Sequence, residues 1–176
     1  MIYKIKNLSI FLFVLLLVVK LNGCFYSFTG ASVPSHLKTI AIPVFEDKSG
    51  SGEPGLRENF TNELIQKFTD DNTLLVAPRT NADAMLDCTI TSLSEAFNSI
   101  STEANNQEVG SSKRLTITVR VIYKDLVLKK TISDKKYSEY GDYSLTGNIL
   151  SNRQTAITTA VDRITDDILL GTVSNW

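Results

Sequence analysis

The sequence predicts an α+β fold: a two-layer sandwich whose mixed β-sheet of about four strands is covered on one face by two helices, in the order β-α-β-β-β-α. Three observations carry this prediction. Leu56, Phe60, Leu64 and Phe68 recur at every fourth position, the spacing of one apolar helix face. Leu115, Ile117, Val119, Val121 and Tyr123 alternate with Thr116, Thr118, Arg120 and Lys124, the two-residue period of a half-buried strand. Near the C-terminus, Ile157, Val161, Ile164 and Ile168 again share a helix face, with Asp162, Asp166 and Asp167 off it. A sheet with one apolar face buries it under amphipathic helices, which gives two layers.

The elements follow in order. Residues 37–45 form a first strand, with Ile40, Ile42 and Val44 alternating with Thr39, Ala41 and Pro43. Residues 46–55 are a polar, Gly-rich loop. The first helix runs over about 54–70, with Pro54 suited to its first turn and Asp70-Asp71-Asn72 at its end. Leu74 to Val76 is a candidate short strand. Residues 84–97 form a half-buried strand in which Leu86, Cys88 and Ile90 alternate with Asp87, Thr89 and Thr91. Residues 99–112 contain three apolar side chains in fourteen and are expected as an exposed loop. The clearest strand, 115–124, follows, then a weaker one over 128–140, then the C-terminal helix. There is no internal repeat.

The first 23 residues have a different character. Lys4 and Lys6 precede an apolar run from Ile10 to Val19, and Leu21-Asn22-Gly23-Cys24 closes the segment. A run of that length is too short for a bilayer-spanning helix, which needs roughly 20 residues. A basic start, a short apolar centre and a small residue before a cut make a secretory signal. Leu-x-Gly-Cys at its end resembles the bacterial lipobox, in which the Cys thiol is acylated and becomes the new N-terminus. Asn22 and Lys20 are unusual in that motif. The expected organisation is therefore a signal peptide at 1–23, a lipidated tether at 24–36 and one domain at 37–176. Two or more acyl chains (palmitate among the usual ones) on Cys24 give stable membrane anchoring.

Removing residues 1–23 takes three of the 18 basic residues and none of the 19 acidic ones, leaving 15 against 19 and a net charge of −4. A nucleic-acid binder needs a basic face, so nucleic acid is not an expected partner. With Cys24 acylated, Cys88 is the one remaining thiol and an intrachain disulfide is excluded. Asn59-Phe60-Thr61 matches a glycosylation sequon inside a helix of a bacterial-type lipoprotein and reads as chance.

Chemistry-bearing motifs are sparse. Gly50-Ser51-Gly52-Glu53-Pro54-Gly55 fits G-x-G-x-x-G in letters. Pro54 removes a backbone donor there, Glu53 puts negative charge where an anion would sit, and four residues separate the glycines from the preceding strand. A flexible loop is the better reading. His36 is the sole histidine and lies in the tether, with nothing nearby in sequence to orient it for a Ser-His-Asp triad. No His, Cys and carboxylate cluster has metal-ligand spacing. Cys88 reads as a small core residue, and the acids at 70–71 and 166–167 as solvated helix ends. No enzyme, metal or cofactor is expected. Lys113, Arg114, Arg120 and Lys124 are the one basic concentration, suited to phosphate oxygens or an acidic partner. Trp176 closes the core or lies in an interface.

Cys24-Phe25-Tyr26-Ser27-Phe28-Thr29-Gly30-Ala31-Ser32-Val33-Pro34, followed by Lys38-Thr39-Ile40-Ala41-Ile42-Pro43-Val44-Phe45, resembles the LptE family of lipopolysaccharide-assembly lipoproteins in its Bacteroidetes-like branch. Arg114 to Val119 and Val173-Ser174-Asn175-Trp176 are similar to it as well. The resemblance implies two helices on one mixed sheet and no covalent chemistry. It implies an outer-membrane location, facing the periplasm or inside a barrel lumen, with a large outer-membrane β-barrel and lipopolysaccharide as partners. Basic residues of some members bind lipopolysaccharide, and Lys113, Arg114, Arg120 and Lys124 are the candidates by charge alone. The second expectation is an envelope lipoprotein that regulates peptidoglycan synthesis or forms part of a secretion pore, since such proteins share the strand, Gly-rich loop and helix of residues 38–70.

Overall fold

The computed structural model describes residues 33–102 and 108–174. The signal segment, Cys24, most of the tether and Trp176 lie outside them. Among the described residues, two helices accompany an open mixed sheet of six strands: β1 (Thr39–Ala41), β2 (Glu46–Asp47), α1 (Leu56–Asp71), β3 (Leu75–Val76), β4 (Ala84–Thr102), β5 (Glu108–Asp125), β6 (Lys130–Ser144) and α2 (Ile149–Val173). The sheet order is β3-β1-β4-β5-β6, with β2 also paired to β4. β1 is parallel to β3 and β4, whereas β4, β5 and β6 form an antiparallel meander. The class and the single helical layer agree with the sequence reading, and the strand count is higher than four.

The extra strands come from a break in the first one. Ile40 and Ala41 pair with Ala84 and Met85, whereas Glu46 and Asp47 pair with Thr89 and Ile90. One more residue is used on the first segment than on β4, around Pro43, which has no N–H to give the ladder. The loop expected at 46–55 therefore starts as a strand.

Both helices lie on the apolar face. Leu56, Phe60, Leu64 and Phe68 of α1 are all fully buried, as are Ile157, Ala160, Ile164 and Ile168 of α2. Against them stand Leu86 and Ile90 of β4 and Leu115, Ile117 and Val119 of β5. Each such side chain contributes about 2 kcal/mol by leaving water. Phe45 and Phe60 stack at 5.2 Å. The Thr61 hydroxyl accepts from the Phe45 N–H at 3.1 Å, and Arg57 Nε donates to the Phe45 carbonyl at 2.9 Å. These bonds supply the partners Phe45 lacks where the ladder is broken. α1 ends at Asn72, whose left-handed φ of 57° brings its N–H to the Phe68 carbonyl.

Two expectations change. The exposed loop expected at 99–112 is largely the outer part of a long hairpin: Ser99 pairs with Ser112, Ile100 with Gly110 and Thr102 with Glu108. The sequence there has three apolar residues in fourteen, yet the backbone ladder continues through it. β4 runs nine residues past Leu93, up to about 30 Å of extended chain. The C-terminal helix also begins earlier than its apolar stripe. It is capped by the Asn148 side chain, which accepts from Ser151 N–H at 3.1 Å.

Candidate functional site

Helices cover one face of the sheet, and the other is open. On β5 the two-residue period sends Leu115 to Tyr123 under the helices and sends Arg114, Thr116, Thr118, Arg120 and Lys124 to the open face. Lys113 has the parity of the covered face. The four basic residues singled out in the sequence are thus split three to one between the faces.

Each of the four meets a carboxylate. Arg114 makes a two-pronged contact with Asp142, both hydrogen bonds 2.8 Å, and its guanidinium lies 3.7 Å from the Tyr140 ring centroid. Arg120 grips Asp134 in the same way, with Nε 2.8 Å from Oδ1. Lys124 pairs with Asp87 across the β4–β5 ladder. Lys113 stands 3.9 Å from Glu95 and 5.3 Å from the Phe97 ring centroid. The hydrogen bond from Arg114 holds the Asp142 carboxyl below its usual range, and Arg120 does the same for Asp134. Between these pairs lie hydroxyls: Thr118 and Ser138 meet at 3.0 Å, and Thr91 donates to the Thr118 carbonyl. The open face is thus polar and hydrogen-bonded, with its arginines already matched to acids.

A second cluster joins the Gly-rich loop to the hairpin. Arg153 of α2 donates to Glu53 at 2.7 Å and to Glu95 at 2.8 Å, and the Tyr143 hydroxyl donates to Glu95 at 2.6 Å. Burial raises the Glu95 pKa, but the hydrogen bonds from Tyr143 and Arg153 outweigh it and leave the carboxyl below its usual range. Burial and the Glu95 contact push the Tyr143 phenol up to about 12. Gly50, Gly52 and Gly55 each take a left-handed φ of 67–72°, a conformation that favours glycine. Those glycines thus serve the path of the loop, while Glu53 between them is fixed by Arg153.

His36 is oriented by a partner that sequence proximity could not show. Its Nε2 lies 2.8 Å from Asp125 Oδ2, and the Asp125 side chain is 1% exposed. Val33 packs against the core and the Pro34 carbonyl accepts from Leu37 N–H, so the last residues of the expected tether lie against the domain. Cys88 is buried, and burial raises its thiol pKa. Among the described residues, no group of three metal-ligating side chains converges, and no helix is long and apolar enough to cross a membrane.

The acids that meet the arginines were missed in the sequence. Asp134 and Asp142 lie on β6, whose alternation is weak. Their partnership with Arg120 and Arg114 appears only once the register is set, with Arg114 opposite Asp142 and Ile122 opposite Asp134.

The arrangement defines a two-layer α+β domain that presents an open, polar sheet face and a long projecting hairpin. Residues 37–170 match the family model of LptE, lipopolysaccharide-assembly, and the chain belongs to that family. The fold is shared with a protein from Xanthomonas campestris, at 11% identity and a TM-score of 0.57 over 80% of this chain and 88% of that one. It is shared with a hypothetical protein from Chlamydia trachomatis, at 11% identity and a TM-score of 0.55 over 76% of this chain and 94% of that one. A minor lipoprotein from Acinetobacter baumannii gives 10% identity and a TM-score of 0.50, over 77% and 91%. No curated protein sequence matches the chain.

Proposed function

We propose that this protein is a non-enzymatic outer-membrane lipoprotein that seats as a plug in a large β-barrel and assists insertion of lipopolysaccharide into the outer leaflet. In this reading residues 1–23 are removed, Cys24 is acylated, residues 24–36 lead from the lipid and residues 37–176 are the working domain. The observation that carries it is the open sheet face. Its arginines are paired with aspartates and its hydroxyls with one another, so it contacts a wet polar wall without desolvating an unmatched arginine. The β4–β5 hairpin supplies a projecting arm for the same contact. Lys113, Arg114, Arg120 and Lys124 serve lipopolysaccharide by exchanging a carboxylate for a lipid phosphate, a geometry that fits the arginine fork equally well.

The deciding experiment isolates the lipidated chain from outer-membrane extract and identifies what accompanies it. One large β-barrel in about equal amount supports the plug. A peptidoglycan synthase, or the chain's own oligomers alone, rejects it.

A further inference from the structure

The β5–β6 turn sets exposed apolar side chains directly beside exposed lysines. Val127 and Leu128 at its tip are 53% and 55% exposed. Lys129 and Lys130 follow directly, both exposed, and neither has an ion-pair partner among the described residues. Apolar side chains at the tip of a tight turn with lysines behind them form the pattern of an interfacial membrane contact.

The turn is held in this shape. Asp125 is buried beneath it and accepts from the Leu128 N–H at 2.7 Å, while Lys129 takes a left-handed φ of 53°. The tip is therefore built outward instead of folding back on the core.

Its position indicates what it faces. His36 reaches Asp125 at the base of the turn, and Pro34 lines a small concavity together with Lys130 and Thr131. The chain thus enters the fold beside this turn. Cys24 lies nine residues before Val33, so extended chain bridges at most about 30 Å between them. Residues 25–35 carry no charge. Nearby acids are engaged: Asp125 with His36 and the turn, and Asp83 with the Lys38 and Thr39 amides.

We infer that the β5–β6 turn docks on the bilayer that holds the lipid anchor, with Val127 and Leu128 at the acyl boundary and Lys129 and Lys130 on anionic phospholipid headgroups. This rests on acylation of Cys24.

The test uses the full lipidated chain in vesicles of phosphatidylethanolamine and phosphatidylglycerol, free of lipopolysaccharide. An environment-sensitive fluorophore is placed on Leu128→Cys or, at the opposite end of the sheet, on Leu150→Cys; Cys88 is buried and does not compete. Vesicle flotation reports the anchor, and quenching by headgroup-nitroxide lipids reports the turn. Strong quenching at 128 with little at 150 is expected. The Lys129→Ala, Lys130→Ala pair should weaken docking about thirtyfold, at roughly fivefold for each lysine on an anionic surface. If the chain fails to float, the anchor reading fails first and the inference falls with it. Floating with a water-exposed label at 128, equal quenching at both sites, or quenching that needs added lipopolysaccharide overturns the docking while leaving the anchor in place. Indifference to the lysine changes also overturns it.

Discussion

Gly141 of β6 and Ala156 of α2 are in backbone contact. A Cβ built on Gly141 would come within 2.7 Å of the Ala156 Cα and closer still to its carbonyl oxygen. Helix and strand meet here without a side chain between them, which sets the height of α2 over the sheet. Gly141→Ala is expected to cost about 3 kcal/mol, because the helix backbone has to move, lowering Tm by roughly 10 °C for a domain of this size. Gly171→Ala meets only the phenolic end of Tyr137, which can swing away, and should cost about 1 kcal/mol. Thermal melts of the two variants check the order, and equal losses would contradict it.

The helices and β5 were legible in the sequence because their apolar period follows the face they bury. The outer hairpin was not, since residues 99–112 hold three apolar residues in fourteen and alternation reports burial rather than backbone pairing. The early start of α2 was hidden for a related reason: Leu150 is 81% exposed and marks no stripe. Of the candidate site, the basic residues were legible and their neutralisation was not. Arg114 and Asp142 are 28 residues apart and meet only through the register of two strands. The same holds for His36 and Asp125, brought together across 89 residues.

Asp125 should make part of the stability depend on acid pH. Burial raises its pKa, but hydrogen bonds from Leu128 N–H and His36 outweigh this, so the folded value lies below the ordinary 3.8. A depressed carboxyl contributes stability that is present above the unfolded pKa and is lost as pH falls through the folded one. Asp125→Asn should cost about 2 kcal/mol at neutral pH, with the turn amides only partly satisfied. Below about pH 4 the difference from the native chain should shrink. Denaturant melts at pH 7 and pH 3 test this, and a gap that widens in acid would contradict the assigned direction.

If Arg114 exchanges Asp142 for a lipid phosphate, the acid is a competitor. Asp142→Asn should then tighten lipopolysaccharide binding about fivefold, the scale of one exposed ion pair. The Lys113→Glu, Arg114→Glu pair should weaken it. Titration of a labelled lipopolysaccharide against the three proteins separates the cases. Binding unchanged by Asp142→Asn would remove Arg114 from the contact and return the pair to a structural role on the open face.

The distal hairpin makes the sharpest separation between folding and partnership. Among the described residues, the fully buried ones of β4 and β5 end at Ile90 and begin at Leu115, well short of the positions that flank 101–110. Removing them leaves Ile100 and Ser111 as a two-residue link between Ser99 and Ser112, which are already paired. Changing that link to Asn-Gly supplies the positive φ values a two-residue hairpin turn requires. The shortened chain should stay within about 0.5 kcal/mol of the native one, as surface changes away from the core usually do. Its recovery with the barrel should nevertheless fall to background, because the projecting arm is gone. Native Tm together with native recovery would take the hairpin out of the docking surface and leave the open face to do that work alone.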